Sequence, residues 1–198
     1  MEQGLLPKNF FKNEPLEEMS TAIIAHFSMT ALFADRLETA VDDILSDKLT
    51  TDRKVQIAAE KEAIARLAGG EEAVRFIRKG FDILNRVTLC KKLLTMQEEV
   101  MPPLLRRFRT SFQDEVVETT AFCLAHGELE YVEQLKAMYG EIRNPYAQSM
   151  ACLIFGMRKQ EDMFPLLLKE YQRMKEAPGE EKLCQGPLLA IYILFDEI

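Results

Sequence analysis

The chain has 198 residues, of which 47% are hydrophobic and 29% charged, enough apolar material for a sizeable core and a composition that excludes disorder as the main state. Its formal charge of −7 argues against a dedicated nucleic-acid binder, whose affinity rests on neutralising phosphates. The charge is uneven: residues 1–50 carry 4 basic and 9 acidic side chains, residues 51–110 carry 13 and 8, and residues 111–198 carry 8 and 15. The basic middle leaves a local acidic partner open.

In chain order, Asn13-Glu-Pro15 offers a helix start, after which Leu16, Met19, Ile23 and Phe27 fall on one face. Phe33, Leu37, Val41, Ile44 and Leu45 mark a second N-terminal segment. Met19 to Ala34 is the longest uncharged stretch, short of the ~20 apolar residues that a membrane span needs. Met1-Glu-Gln-Gly has no basic leader, and Lys8, Lys12 and Glu14 interrupt an apolar run. Neither a secretory signal nor a span is expected, and a cytoplasmic location is the default.

Thr51-Asp52 opens the next helix, with Val55, Ala59, Ala63 and Leu67 inward and Gly69-Gly70 closing it. Glu71 to Lys79 follows, acidic in its first turn as the helix dipole favours. Val87 to Thr95 then leads a hairpin and Glu99 to Arg109 trails it. Pro102-Pro103 is expected in the first turn of the trailing helix, where amides lack internal partners. Thr110-Ser-Phe-Gln113 has capping-box form. Glu115 to His126 leads the next hairpin, which Gly127 turns, and Leu129 to Tyr139 trails it. Asn144-Pro145 opens a third, running to Phe155 and turned at Gly156, with Gln160 to Lys175 trailing. Ala177-Pro-Gly179 is a turn, and Gly186-Pro187 starts a last apolar helix, Leu188 to Phe195. That helix is expected either to cap the array or to present Ile191, Leu194 and Ile198 to another subunit, as in a homodimer.

Two phrases match at an offset of 62 residues: Glu99-Val-Met101-Pro-Pro103-Leu104-Leu105 and Glu161-Asp-Met163-Phe-Pro165-Leu166-Leu167. Glu130, Val132 and Leu135 repeat Glu99, Met101 and Leu104 halfway, at 31. A fixed period of this size is the mark of a repeated helical hairpin. Between about residues 87 and 198 the recurring Pro-Leu-Leu and glycine-turn positions resemble the HEAT-like family of α-helical repeats. The resemblance implies an all-α fold of about ten helices, with antiparallel hairpins stacked as a short right-handed or slightly irregular α–α superhelix (an α-solenoid). It also implies a non-enzymatic scaffold for partner proteins, and it carries no catalytic residues over. One domain, 1–198, is expected, with residues 1–50 as N-terminal helices or a cap and 51–198 as hairpin repeats.

The chemistry-bearing residues support no catalytic centre. Cys90, Cys123, Cys152 and Cys184 recur near the repeat period without zinc-ligand spacing and read as buried apolar residues. His126 shares a helix face with Cys123 but reads as a dipole-stabilising cap, and His26 as a packed residue. Asp42-Asp43 and Glu17-Glu18 point apart on a helix and form no acid–base pair. No metal or cofactor is expected. Arg75, Arg78, Lys79, Lys91, Lys92, Arg106, Arg107 and Arg109 are the candidate partner-binding residues, a positive stripe for a protein or an acidic peptide segment, with arginine offering bidentate contacts. The alternative is an all-α ligand-binding or enzymatic domain with His26, Phe27, Met29 and Phe33 lining a pocket between the N-terminal helices and the repeats.

Overall fold

The structure is a computed structural model that describes residues 49–195. The N-terminal helical segments, the His26, Phe27, Met29 and Phe33 pocket, the Asp42-Asp43 and Glu17-Glu18 pairs and Ile198 lie outside the described residues. The regular structure described is entirely helical: α1 (Thr51–Arg66), α2 (Gly70–Lys79), α3 (Arg86–Leu94), α4 (Gln97–Phe108), α5 (Asp114–His126), α6 (Leu129–Met138), α7 (Pro145–Met157), α8 (Phe164–Glu176) and α9 (Gln185–Leu194). Short 3-10 turns at Ile83–Asn85, Tyr139–Glu141, Glu161–Met163 and Glu181–Cys184 precede or follow them. The helices pack as an all-α bundle, and none is long and apolar enough to cross a membrane.

Local chemistry explains most boundaries. Thr50 caps α1 by accepting from the Arg53 amide at 3.3 Å, and Asn144 caps α7 by accepting from the Tyr146 amide at 3.0 Å, with Pro145 in the first turn. Gly80 ends α2 at φ +81°, a conformation that suits glycine. Several expectations need correction. Gly69-Gly70 do not close α1, whose C-cap is Leu67, but open α2, with Gly69 as its N-cap. The capping box at Thr110–Gln113 does not form: Gln113 is the N-cap of α5 without a side-chain cap bond, its amide donates to Ser111 Oγ at 3.1 Å, and its side chain instead accepts from Arg78 at 3.4 Å. Gly156 does not close α7 but lies inside it, buried.

Pro102 and Pro103 also sit deeper than expected, because α4 begins at Gln97 and both prolines fall in its interior. Their missing amides leave the carbonyls of Glu98 and Glu99 without helical donors. Gly70, the first residue of α2, packs over the second of these. A Cβ there would collide with the Glu99 carbonyl and reach 2.9 Å from Pro103 Cγ. Helix α2 therefore crosses α4 where the hydrogen-bond ladder is open.

The core has a repeating signature. Met101, Leu104 and Phe108 on α4 are all fully buried, at the i, i+3, i+7 spacing of one helix face. The same buried triplet is Gly70, Ala73 and Ile77 on α2, Val132, Leu135 and Tyr139 on and just beyond α6, and Phe164, Leu167 and Tyr171 on α8. Phe164, not Met163, thus occupies the place of Met101. Met163 is half-buried in the preceding 3-10 turn, so the textual offset of 62 is one residue short of the structural one.

The odd-numbered helices touch in sequence, α1 on α3, α3 on α5, α5 on α7 and α7 on α9, and α2 packs on α4. Polar ties between them join residues about one period apart. Arg53 pairs with Asp82 at 2.7 Å, Arg86 with Glu118, and Tyr146 donates to Glu118 at 3.0 Å. Asn144 reaches the Ser111 carbonyl at 3.1 Å, and Arg158 reaches those of Ala125 and Gly127 at 2.9 Å each. Near the chain's end α9 lies against α7 and α8. A Cβ at Gly156 would stand 2.5 Å from Ala190 Cα, and Ser149 Oγ donates to the Leu183 carbonyl at 2.6 Å. Ile191 and Leu194, expected on an outward face, are buried in this packing.

Two tests follow from these contacts. Gly156→Ala forces α7 and α9 apart against backbone atoms and is expected to cost about 1–3 kcal/mol; a denaturation midpoint equal to wild type would refute the close approach. The Arg53 guanidinium, outweighing partial burial and aided by the Leu84 amide, holds the Asp82 carboxyl below the usual range. Asp82 therefore stabilises the fold above the ordinary aspartate pKa, and that contribution fades as pH falls through its depressed folded value. Denaturant midpoints of wild type and Asp82→Asn should differ at pH 6 and converge as pH approaches 2.

Candidate functional site

Three of the trailing helices, α2, α4 and α6, share a charge order that α8, with no acid in its first turn, lacks. α2 begins with Glu71 and Glu72 and ends with Arg78 and Lys79, α4 begins with Glu98 and Glu99 and ends with Arg106 and Arg107, and α6 has Glu130 in its first turn and Lys136 in its last. Each arrangement complements the helix dipole. Helices α4 and α6 run in the same direction, because they are tied at both ends. Gln97 and Glu128 exchange two bonds at their N-terminal ends (3.3 and 3.1 Å), while Arg109 pairs with Glu141 at 2.7 Å and accepts from the Arg143 amide at 3.1 Å beyond their C-terminal ends.

Between these ties α4 and α6 pack less closely than α2 and α4 do, and the seam opens into two depressions. The one at the N-terminal ends has a volume of about 570 Å³ and carries Glu98, Glu99, Glu128 and Glu130 beside Tyr131. Burial first, and then Glu130, Glu98 and Glu128, push the Tyr131 phenol above its ordinary range, as expected where carboxylates converge. The one at the C-terminal halves, about 350 Å³, is lined by Pro102, Leu105, Ala137 and Met138 with Gln134, and among the described residues its charged lining residues are Arg106 and Arg109.

The structure distributes the candidate basic residues unequally. Arg106 and Arg109 line this groove, and Arg106 pairs with Glu71 across to α2 at 3.0 Å, with both side chains well exposed. Arg75 and Lys79 line a second groove, between α1 and α2, with Leu67 and Phe76. Arg78 bonds Gln113, and Arg107 projects from α4. Among the described residues Arg75, Lys79 and Arg107 make no ion pair. Lys91 and Lys92 are half-buried on α3 and line neither groove. The acidic depression is the part that sequence reasoning missed. Its signal was the order of charge within α4 and α6 rather than the total.

Two buried polar clusters complete the inventory. Arg86 sits between Phe81 and Phe122, its guanidinium 5.9 and 6.0 Å from the ring centres, while paired with Glu118. Buried Glu170 accepts from Arg173 at 2.8 Å, Arg173 also reaches Glu180 at 3.0 Å and Gln148 at 2.7 Å, and Tyr139 Oη lies 3.4 Å from Cys152 Sγ. Burial, then Cys152 and Glu170, push the Tyr139 phenol far up. Burial, opposed by the Tyr139 hydrogen bond, pushes the Cys152 thiol up to about 12. Cys123, beside Cys90, is likewise raised, by that neighbour and by burial. Such thiols are protonated at neutral pH and are poor nucleophiles, so the cluster braces α7 against α8.

No disulfide joins the four cysteines, and Cys90, Cys123 and Cys152 are buried on the leading helices as their spacing predicts. His126 ends α5. No group of three or more potential metal ligands converges among the described residues. No protein family, curated protein or solved structure matches the chain.

Thiol exposure offers a direct check. Maleimide labelling of the native protein is expected to modify half-exposed Cys184 first, and the other three only in denaturant. Rapid native labelling of Cys152 would contradict its enclosure.

Proposed function

We propose that this chain is a HEAT-like helical-repeat scaffold whose trailing helices present a binding face to a protein or acidic peptide segment. The observation that carries the reading is the groove between α4 and α6, where Pro102, Ala137 and Met138 stand beside Arg106 and Arg109, whose ion pairs with Glu71 and Glu141 lie at the surface. Arginine suits such a role because its planar fork meets a carboxylate bidentately, and an amphipathic segment supplies both the acid and the apolar anchors.

The repeat part of the proposal draws on the buried triplets at intervals of 31, 31 and 32 residues and on the ties between odd-numbered helices. Units of this kind bury their apolar faces on one another and leave a continuous outer surface for partners. The exposed pairs Arg106–Glu71 and Arg109–Glu141 fit a binding role too. Pairs of that exposure contribute about 0–1 kcal/mol each, so an incoming carboxylate can replace either at little cost.

The test reverses charge without touching the core. The triple variant Arg106→Glu, Arg107→Glu, Arg109→Glu is expected to lose the proteins that wild type captures from native cell extract, with a melting temperature within a few degrees of wild type. Quantitative mass spectrometry of both captures gives the readout. Identical captured sets would remove this face from the binding surface.

A further inference from the structure

The α4/α6 seam has an order as well as a composition, and we infer that its partner is an amphipathic helix with an acidic N-terminal half and a basic C-terminal half, lying antiparallel to α4 and α6. The inference rests on the scaffold reading and specifies what the scaffold holds.

The register of side chains makes the seam one track. On α4, Glu98, Pro102, Leu105 and Arg109 follow one another at spacings of three and four, and on α6 Glu130, Gln134 and Ala137 do the same. The acidic depression and the arginine-bordered groove are therefore successive stations along a single seam. The Gln97–Glu128 exchange closes one end, and the Arg109–Glu141 pair closes the other. Twelve residues of α4 span ~18 Å at 1.5 Å per residue, which matches about three turns of a docked helix.

Charge complementarity then sets the direction. Acidic side chains of the ligand belong over Arg106 and Arg109, and basic ones over Glu98, Glu99, Glu128 and Glu130. Helices are most stable with acids at their own N-terminus and bases at their own C-terminus. A ligand helix satisfying both conditions points its N-terminus toward the C-terminal ends of α4 and α6. Its dipole then opposes theirs, which is the favourable side-by-side arrangement. Pro102, Ala137 and Met138, over the buried Leu105, receive its apolar stripe, in the manner of a helix laid into a groove.

The experiment is a display selection on the full chain. The library holds 16-residue helical peptides with a fixed apolar stripe and Glu or Lys randomised at each flanking position. Enriched peptides are expected to carry Glu in the N-terminal half and Lys in the C-terminal half. Their affinity, by fluorescence anisotropy, should fall at least tenfold on Ala137→Glu, which fills the groove from an exposed position, and at least tenfold on Arg106→Glu with Arg109→Glu. Reversal of Glu98, Glu99, Glu128 and Glu130 to Lys should turn the preference of the C-terminal half to Glu. Failure to enrich, a random or reversed charge order, or affinity indifferent to these variants overturns the inference. If the charge-reversed triple variant still loses its captured partners in that event, the scaffold reading stands and only the seam assignment falls.

Discussion

The described fold depends on apolar helix faces that are buried only against neighbouring helices. The described helices are 9 to 16 residues long, short enough to be marginal in water without tertiary packing. On or just beyond α2, α4, α6 and α8, buried residues recur at i, i+3 and i+7 on one face, and that face is buried where neighbouring helices close over it. The ties between leading helices hold those neighbours in register. Stability and spacing are thus one problem, met by side chains that recur about every 31 residues.

The same alignment organises the charges. Acids at the N-terminus and bases at the C-terminus of a lone helix are a local response to its dipole. Placed side by side in one direction, α4 and α6 gather those charges into an acidic end and a basic end. No residue in the seam has to be unusual. A pattern that stabilises each helix by a few tenths of a kcal/mol to about 1 kcal/mol becomes, by repetition, a surface with polarity and direction.

Close approach is secured by what is missing. Gly70 over the Glu99 carbonyl and Gly156 against Ala190 let backbones meet where a methyl group would separate them. Prolines 102 and 103 remove two donors from α4 at the crossing with α2, so the irregularity in one helix falls where its neighbour packs. Arg86, Glu118 and Tyr146 then join α3, α5 and α7 through one partly buried charge network, which positions these helices.

Helical character, most helix starts from Thr51 onward, the burial of Cys90, Cys123 and Cys152 and the recurrence of buried residues near 31 were legible in the amino-acid order, because they follow from local periodicity and caps. The arginines at 106 and 109 were legible as charges. What they border was not, since a groove belongs to two helices some thirty residues apart. Sequence likeness also misjudged the register of Met163 by one residue: a 3-10 turn before α8 shifts the inward face, and Phe164 takes the buried place. The same limit applies to Gly156, whose composition suggests a turn and whose role is contact with α9. Local chemistry decides which residues become helix and which face is apolar. Only the packing of distant helices decides which carbonyls meet a glycine, which charges converge and where a partner can lie.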